Sequence, residues 1–154
     1  MVMQKQDFYQ TLVKQAQGLI SGEHNMVANM ANLSALLFTT LEDINWAGFY
    51  LMDSADELVL GPFQGNPACI RIPVGKGVCG TAAASCETQL VEDVHAFSGH
   101  IACDAASNSE IVIPVFKDNK VIAVLDIDSP SLARFDEQDK KGLEAFVKVF
   151  EETL

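Results

Sequence analysis

The chain has 154 residues, 49% of them hydrophobic and 20% charged, which fits one domain and excludes a disordered chain. A chain of this length buries roughly 70% of its unfolded surface, so its core needs no disulfide staples. The formal net charge of −11 repels phosphate backbones and anionic lipid surfaces, which leaves small molecules and other proteins as the expected partners, with no nucleic acid and no membrane.

The first ten residues are polar and lack the apolar centre of a signal peptide, and no apolar run approaches the length of a membrane span, so a cytoplasmic location is expected. Phe8, Leu12, Ala16, Leu19 and Ile20 then recur at helical spacing, and Ser21-Gly22 ends that helix. A second helix carries Met26, Met30, Leu33, Leu36, Leu37 and Leu41 on one face, a core stripe. Residues 44–52, with Trp46, Phe49, Tyr50 and Leu51, predict a strand that turns at Asp53-Ser54-Ala55-Asp56 into a second strand over 57–63. The turn residues of Gly61-Pro62-Phe63-Gln64-Gly65-Asn66-Pro67 bring Cys69 out at the edge of a loop, before a short strand over 70–73.

Gly75-Lys76-Gly77-Val78-Cys79-Gly80-Thr81 leads into an alanine-rich helix. Free N–H groups at a helix start favour a thiolate, so a lowered pKa is expected for Cys79. The spacing of lysine and glycines does not match a P-loop. Cys86, near the end of that helix, has no polar constellation around it and reads as incidental. Residues 89–91 form a short strand, and 92–108 a connection long enough to point to function. Within it, Gly99-His100-Ile101-Ala102-Cys103-Asp104 sets Cys103 among His95, His100, Asp104, Ser107, Asn108 and Glu110. A reactive cysteine needs solvent access and polar groups that govern its thiolate fraction, and Cys103 has that address. In a reducing compartment the four cysteines suit catalysis, metal binding or burial better than a permanent disulfide framework. A zinc site from His95, His100, Cys79 and Cys103 fits no common spacing, so no metal and no cofactor are expected.

Residues 110–117 and 120–128 are apolar strands joined at Asp118-Asn119, Ser129-Pro130 breaks the second, and Asp136 caps a last helix bearing Leu143, Phe146, Val147 and Phe150. Together the elements predict an α+β fold. It is an antiparallel-rich sheet of about six strands, with N- and C-terminal helices packed on one side, in a single domain over 1–154. Asp126 and Asp128 share a strand face with Ile122 and Val124. A two-residue turn at Asp118-Asn119 sets Ile111 opposite Asp126 and turns Glu110 to the other face. Glu110 joins the aspartates only through an odd-length loop or a bulge, for which Pro114 is the expected disruption.

Six motifs, Asn45-Trp46-Ala47-Gly48-Phe49-Tyr50, Gly61-Pro62-Phe63-Gln64-Gly65, Gly77-Val78-Cys79-Gly80, Gly99-His100-Ile101-Ala102-Cys103-Asp104, Ser109-Glu110-Ile111 and Leu125-Asp126-Ile127-Asp128-Ser129, occur in an order and spacing that resembles the free methionine-(R)-sulfoxide reductases. These are single GAF domains, so the resemblance implies a GAF-like domain that reduces the R epimer of free methionine sulfoxide. It further implies Cys103 as the sulfur nucleophile, Cys69 as the cysteine that forms a disulfide with it, and Cys79 as a third cysteine in a supporting or alternative resolving role. Glu110, Asp126 and Asp128 correspond to pocket carboxylates, Trp46 and Tyr50 to aromatics lining the pocket. Thioredoxin is the implied reductant and a homodimer the implied assembly. Cys86 lies outside the pattern. The carboxylates also surround the nucleophile with negative charge, so activation of Cys103 is expected to follow the arrival of the substrate ammonium. Two rival readings remain open, a GAF module that senses a small ligand and a cysteine-based redox sensor without turnover.

Overall fold

The computed structural model describes residues 4–101, 103 and 105–154; Ala102 and Asp104 of the Gly99-to-Asp104 stretch, and with them the expectation that Asp104 flanks Cys103, lie outside the described residues. Four helices, α1 (Lys5–Ile20), α2 (Met26–Thr40), α3 (Gly77–Ser85) and α4 (Glu137–Glu151), accompany six strands: β1 (Trp46–Ser54), β2 (Glu57–Gly65), β3 (Arg71–Pro73), β4 (Gln89–Val91), β5 (Ser109–Lys117) and β6 (Lys120–Ser129). The strands form one sheet in the order β3-β2-β1-β6-β5-β4, and every neighbouring pair is antiparallel. Among the described residues no helix is long and apolar enough to cross a membrane.

Strand alternation divides the interior in two. Ala47, Phe49, Ile111, Ile113, Val115, Ala123, Leu125 and Ile127 face the helices α1, α2 and α4 and close the larger core with them. Trp46, Tyr50, Val112 and Val124 point the other way, into a second cluster shared with Val78, Cys79, Ala82 and Ala83 of α3. The N- and C-terminal helices pack on one side of the sheet as expected, and α3 lies on the other. That helix has so many small residues that it lies flat against the second face. In α1 the core face is Tyr9, Leu12, Ala16 and Ile20, while Leu19 is exposed. The Tyr9 hydroxyl donates to Asp139 Oδ1 at 2.7 Å, a partner that makes burial of the phenol affordable.

The β5–β6 hairpin decides where Glu110 points. Its turn has two residues, Asp118 and Asn119, both with positive φ, and pairs Lys117 with Lys120 and Phe116 with Val121. The register then shifts so that Val115 meets Ala123, leaving Ile122 as the extra residue of a bulge. Beyond it Val112 faces Asp126 and Glu110 faces Asp128. The bulge needed to bring Glu110 to the aspartates is therefore present, but it sits in β6 and not at Pro114, which pairs regularly with Val124. Proline is tolerated there because β4 reaches only to Val112, so β5 has one neighbour at that point. The same bulge moves Ile122 off the aspartate face: it packs with the helix-side core.

Candidate active site

The face of the sheet that carries α3 holds a cavity built by several separate parts of the chain. Strand β1 supplies Trp46 and Tyr50; β5 and β6 supply Glu110, Asp126 and Asp128; α3 supplies Cys79; the connection before β5 supplies His100, Ile101, Cys103 and Ser107. Cys103 is bonded to Cys69, which follows β2, with the two Cα atoms 5.3 Å apart. The space left inside is about 30 Å³, room for about two water molecules.

Seven of the residues singled out by sequence, Trp46, Tyr50, Cys79, Cys103, Glu110, Asp126 and Asp128, thus line one cavity, and the eighth, Cys69, is joined to it through sulfur. Cys86 is exposed and stands apart. Residues the sequence reading left off the site are Ser107 and Asn45. Ser107 Oγ donates to Asp128 Oδ2 at 3.2 Å and accepts from Asn45 Nδ2 at 3.2 Å, so it positions that carboxylate. The available signal was Ser107's place two residues before β5, where the long connection must rejoin the sheet.

Burial governs the electrostatics. Glu110, Asp126 and Asp128 are 8%, 5% and 9% exposed, and among the described residues no lysine or arginine lines the cavity. Desolvation first, and the charge of neighbouring carboxylates second, hold all three well above the usual carboxylate range. Asp126 Oδ1 and Asp128 Oδ1 are buried without a hydrogen-bond partner among the described residues. The lowered pKa expected for Cys79 is corrected: complete burial, then the charges of Asp126 and Glu110, push its thiol well above the ordinary value and outweigh the helix start. His100 is pushed down by burial and by the facing His95 ring, whose centroid lies 6.2 Å away.

Trp46 and Tyr50 do more than wall the cavity. Trp46 Nε1 donates to the Asn66 carbonyl at 3.1 Å and the Tyr50 hydroxyl to the Cys69 carbonyl at 2.9 Å, so both pin the loop that carries Cys69. The Trp46 ring stacks on Phe63, centroids 5.1 Å apart, across Gly48, where a Cβ would overlap Phe63. On the other side Gly77, at φ +63°, lets the Ile101 side chain rest on the start of α3, and its N–H donates to the Gly99 carbonyl at 3.0 Å. Both cysteine-bearing loops are thereby tied to regular elements.

The GAF domain family matches residues 27–150. The free methionine-R-sulfoxide reductase of Escherichia coli K12 is 56% identical over 152 residues, covering 99% of this chain and 92% of that protein. The structure of fRMsr of Staphylococcus aureus in complex with substrate superposes with a TM-score of 0.91 at 60% identity, over 95% of each chain. The free methionine-R-sulfoxide reductase of Neisseria meningitidis, also solved with its substrate, gives a TM-score of 0.94 at 45% identity, over 99% of this chain and 92% of that one.

Proposed function

The chain belongs to the free methionine-(R)-sulfoxide reductase family of single GAF domains, and on that premise we propose that it reduces free L-methionine-(R)-sulfoxide to methionine at this cavity. The Cys103 thiolate attacks the sulfoxide sulfur while the oxygen is protonated; methionine leaves, and the oxygen stays on Cys103 as a sulfenic acid. The Cys69 thiol then attacks the Cys103 sulfur and expels the oxygen as water, which closes the disulfide. A dithiol reductant, thioredoxin, reopens it by exchange. Each cycle oxidises two thiols and reduces one sulfoxide.

The observation that carries this reading is the Cys69–Cys103 bond, made by a cysteine that lines the carboxylate cavity. Cys79 remains a free thiol beside it, which supports Cys69 as the resolving cysteine. Three adjacent buried carboxyl groups, with no lysine or arginine around the cavity among the described residues, cannot all be charged at low cost. One therefore keeps its proton and donates to the sulfoxide oxygen, and the others take the substrate ammonium. Trp46 and Tyr50 face the methionine side chain. The homodimer is kept on the strength of the family resemblance.

A coupled assay with thioredoxin, its reductase and NADPH tests the assignment. Turnover is expected with the R epimer of free methionine sulfoxide and not with the S epimer. Cys103→Ser is expected to abolish it, while Cys69→Ser keeps turnover with dithiothreitol and loses it with thioredoxin. Binding of methionine sulfoxide without any turnover would favour the sensor readings instead.

A further inference from the structure

We propose that Cys79 Sγ and the carboxylates of Glu110 and Asp126 form a binding site for a thiophilic divalent cation of the zinc type, which closes the cavity to the amino-acid substrate. The inhibition rests on the reductase reading; the binding does not. One donor atom from each of the three residues lies within 4.8 Å of the other two, and all three residues are buried. They arrive from α3, β5 and β6, so the site exists only in the folded chain. A tetrahedral zinc ion with one thiolate and two carboxylate ligands sets its donors about 3.3–3.6 Å apart, so each moves inward by less than about 1 Å.

A second observation points to a cation independently of that clustering. Asp126 Oδ1 and Asp128 Oδ1 are buried and lack hydrogen-bond partners among the described residues, an arrangement that costs free energy until something positive or donating reaches them. Among the described residues no lysine or arginine lines the cavity to do so. The remaining space of about 30 Å³ is too small for an amino acid and sufficient for a bare ion with a water. Carboxylates alone suit magnesium or calcium; the sulfur shifts the preference to zinc. Cys79 is a free thiol while Cys69 and Cys103 are bonded, so the site persists in the disulfide form. Binding releases the thiol proton and any carboxyl protons to solvent and changes no oxidation state. The ion occupies carboxylates that the substrate ammonium needs, so metal and substrate exclude each other.

Cobalt(II) is the probe, titrated into the disulfide form of the full chain carrying Cys86→Ser, so that Cys79 is the one free thiol. The expected result is a near-ultraviolet thiolate-to-cobalt charge-transfer band with the visible bands of a four-coordinate ion, all displaced by zinc. Adding Cys79→Ser should remove the charge-transfer band, and Glu110→Gln should weaken cobalt binding at least ten-fold. No band in the Cys86→Ser protein overturns the site, as does a band that survives Cys79→Ser. Circular dichroism checks that the variants fold, and unchanged affinity in Glu110→Gln overturns the three-residue site even if Cys79→Ser does not fold. Metal-free turnover is measured on the reduced protein in parallel. Turnover without cobalt binding sinks this inference alone; cobalt binding without turnover sinks the reductase reading alone. With both in hand, zinc inhibition that is not competitive with methionine sulfoxide overturns the blocking role.

Discussion

In the proposed reaction Tyr50 serves both halves of the chemistry. Its ring walls the cavity, and its hydroxyl holds the carbonyl of Cys69, the residue whose sulfur must reach Cys103. Burial, then the Asp126 charge, pushes the phenol up, so it remains a hydrogen-bond donor throughout the working pH range. A hydrogen bond of this kind is worth about 1 kcal/mol, or about a five-fold change in a rate that depends on it. Tyr50→Phe is therefore expected to leave the first release of methionine nearly unchanged and to slow disulfide formation about five-fold. Trapping the Cys103 sulfenic acid with a dimedone-type reagent during a single turnover measures this directly; equal trapping in the two proteins would remove Tyr50 from the resolving step. The role was not legible in sequence, where an aromatic on a strand reads as core or pocket wall. Only the path of the loop after β2 sets a carbonyl above the phenol.

At the level of elements, the bulge at Ile122 and the cap of α4 show two kinds of legibility. The need for a bulge followed from counting residues between Glu110 and Asp126, but its position did not, because alternation in an apolar strand looks the same on either side of the slip. The cap was legible outright. Asp136 accepts from the N–H groups of Gln138 and Asp139 at 2.9 and 3.0 Å, and Asp139 accepts in return from the Asp136 N–H, a capping box. Burial alone would push the Asp136 carboxyl up, but Lys5 and the Asp139 N–H outweigh it and hold it at about 2. A carboxyl with a depressed native pKa contributes stability above its unfolded value of 3.8 and loses it as pH falls through about 2. Asp136→Ala is expected to cost about 1 kcal/mol near neutral pH, a fall in Tm of about 2–4 °C. Thermal melts at pH 7 and pH 2 should show that difference narrowing in acid; a constant difference would assign the effect to something other than the charge.

Across the whole molecule, the disulfide form is closed against its own substrate. Its cavity of about 30 Å³ is far below the roughly 300 Å³ of small ligand pockets. Binding of an amino acid therefore requires the cavity to widen after reduction. Calorimetry should find methionine sulfoxide bound by reduced Cys103→Ser and at least ten-fold more weakly by the oxidised wild type; equal affinities would show that the cavity opens without reduction. The sequence by itself determined the element order, the alternation of faces along each strand and the acidic charge, and the family resemblance picked out eight residues, seven of which the fold brings to one cavity and the eighth of which it joins to that cavity through sulfur. Periodicity, turn chemistry and motif spacing are local properties, and they survive in a linear reading. Only the tertiary structure decided that Glu110 faces Asp128, that α3 lies on the opposite face from the other helices, and that Cys79 is held as a thiol. Each of those depends on desolvation or register set by distant segments, and the free energy of a buried charge is a property of its surroundings.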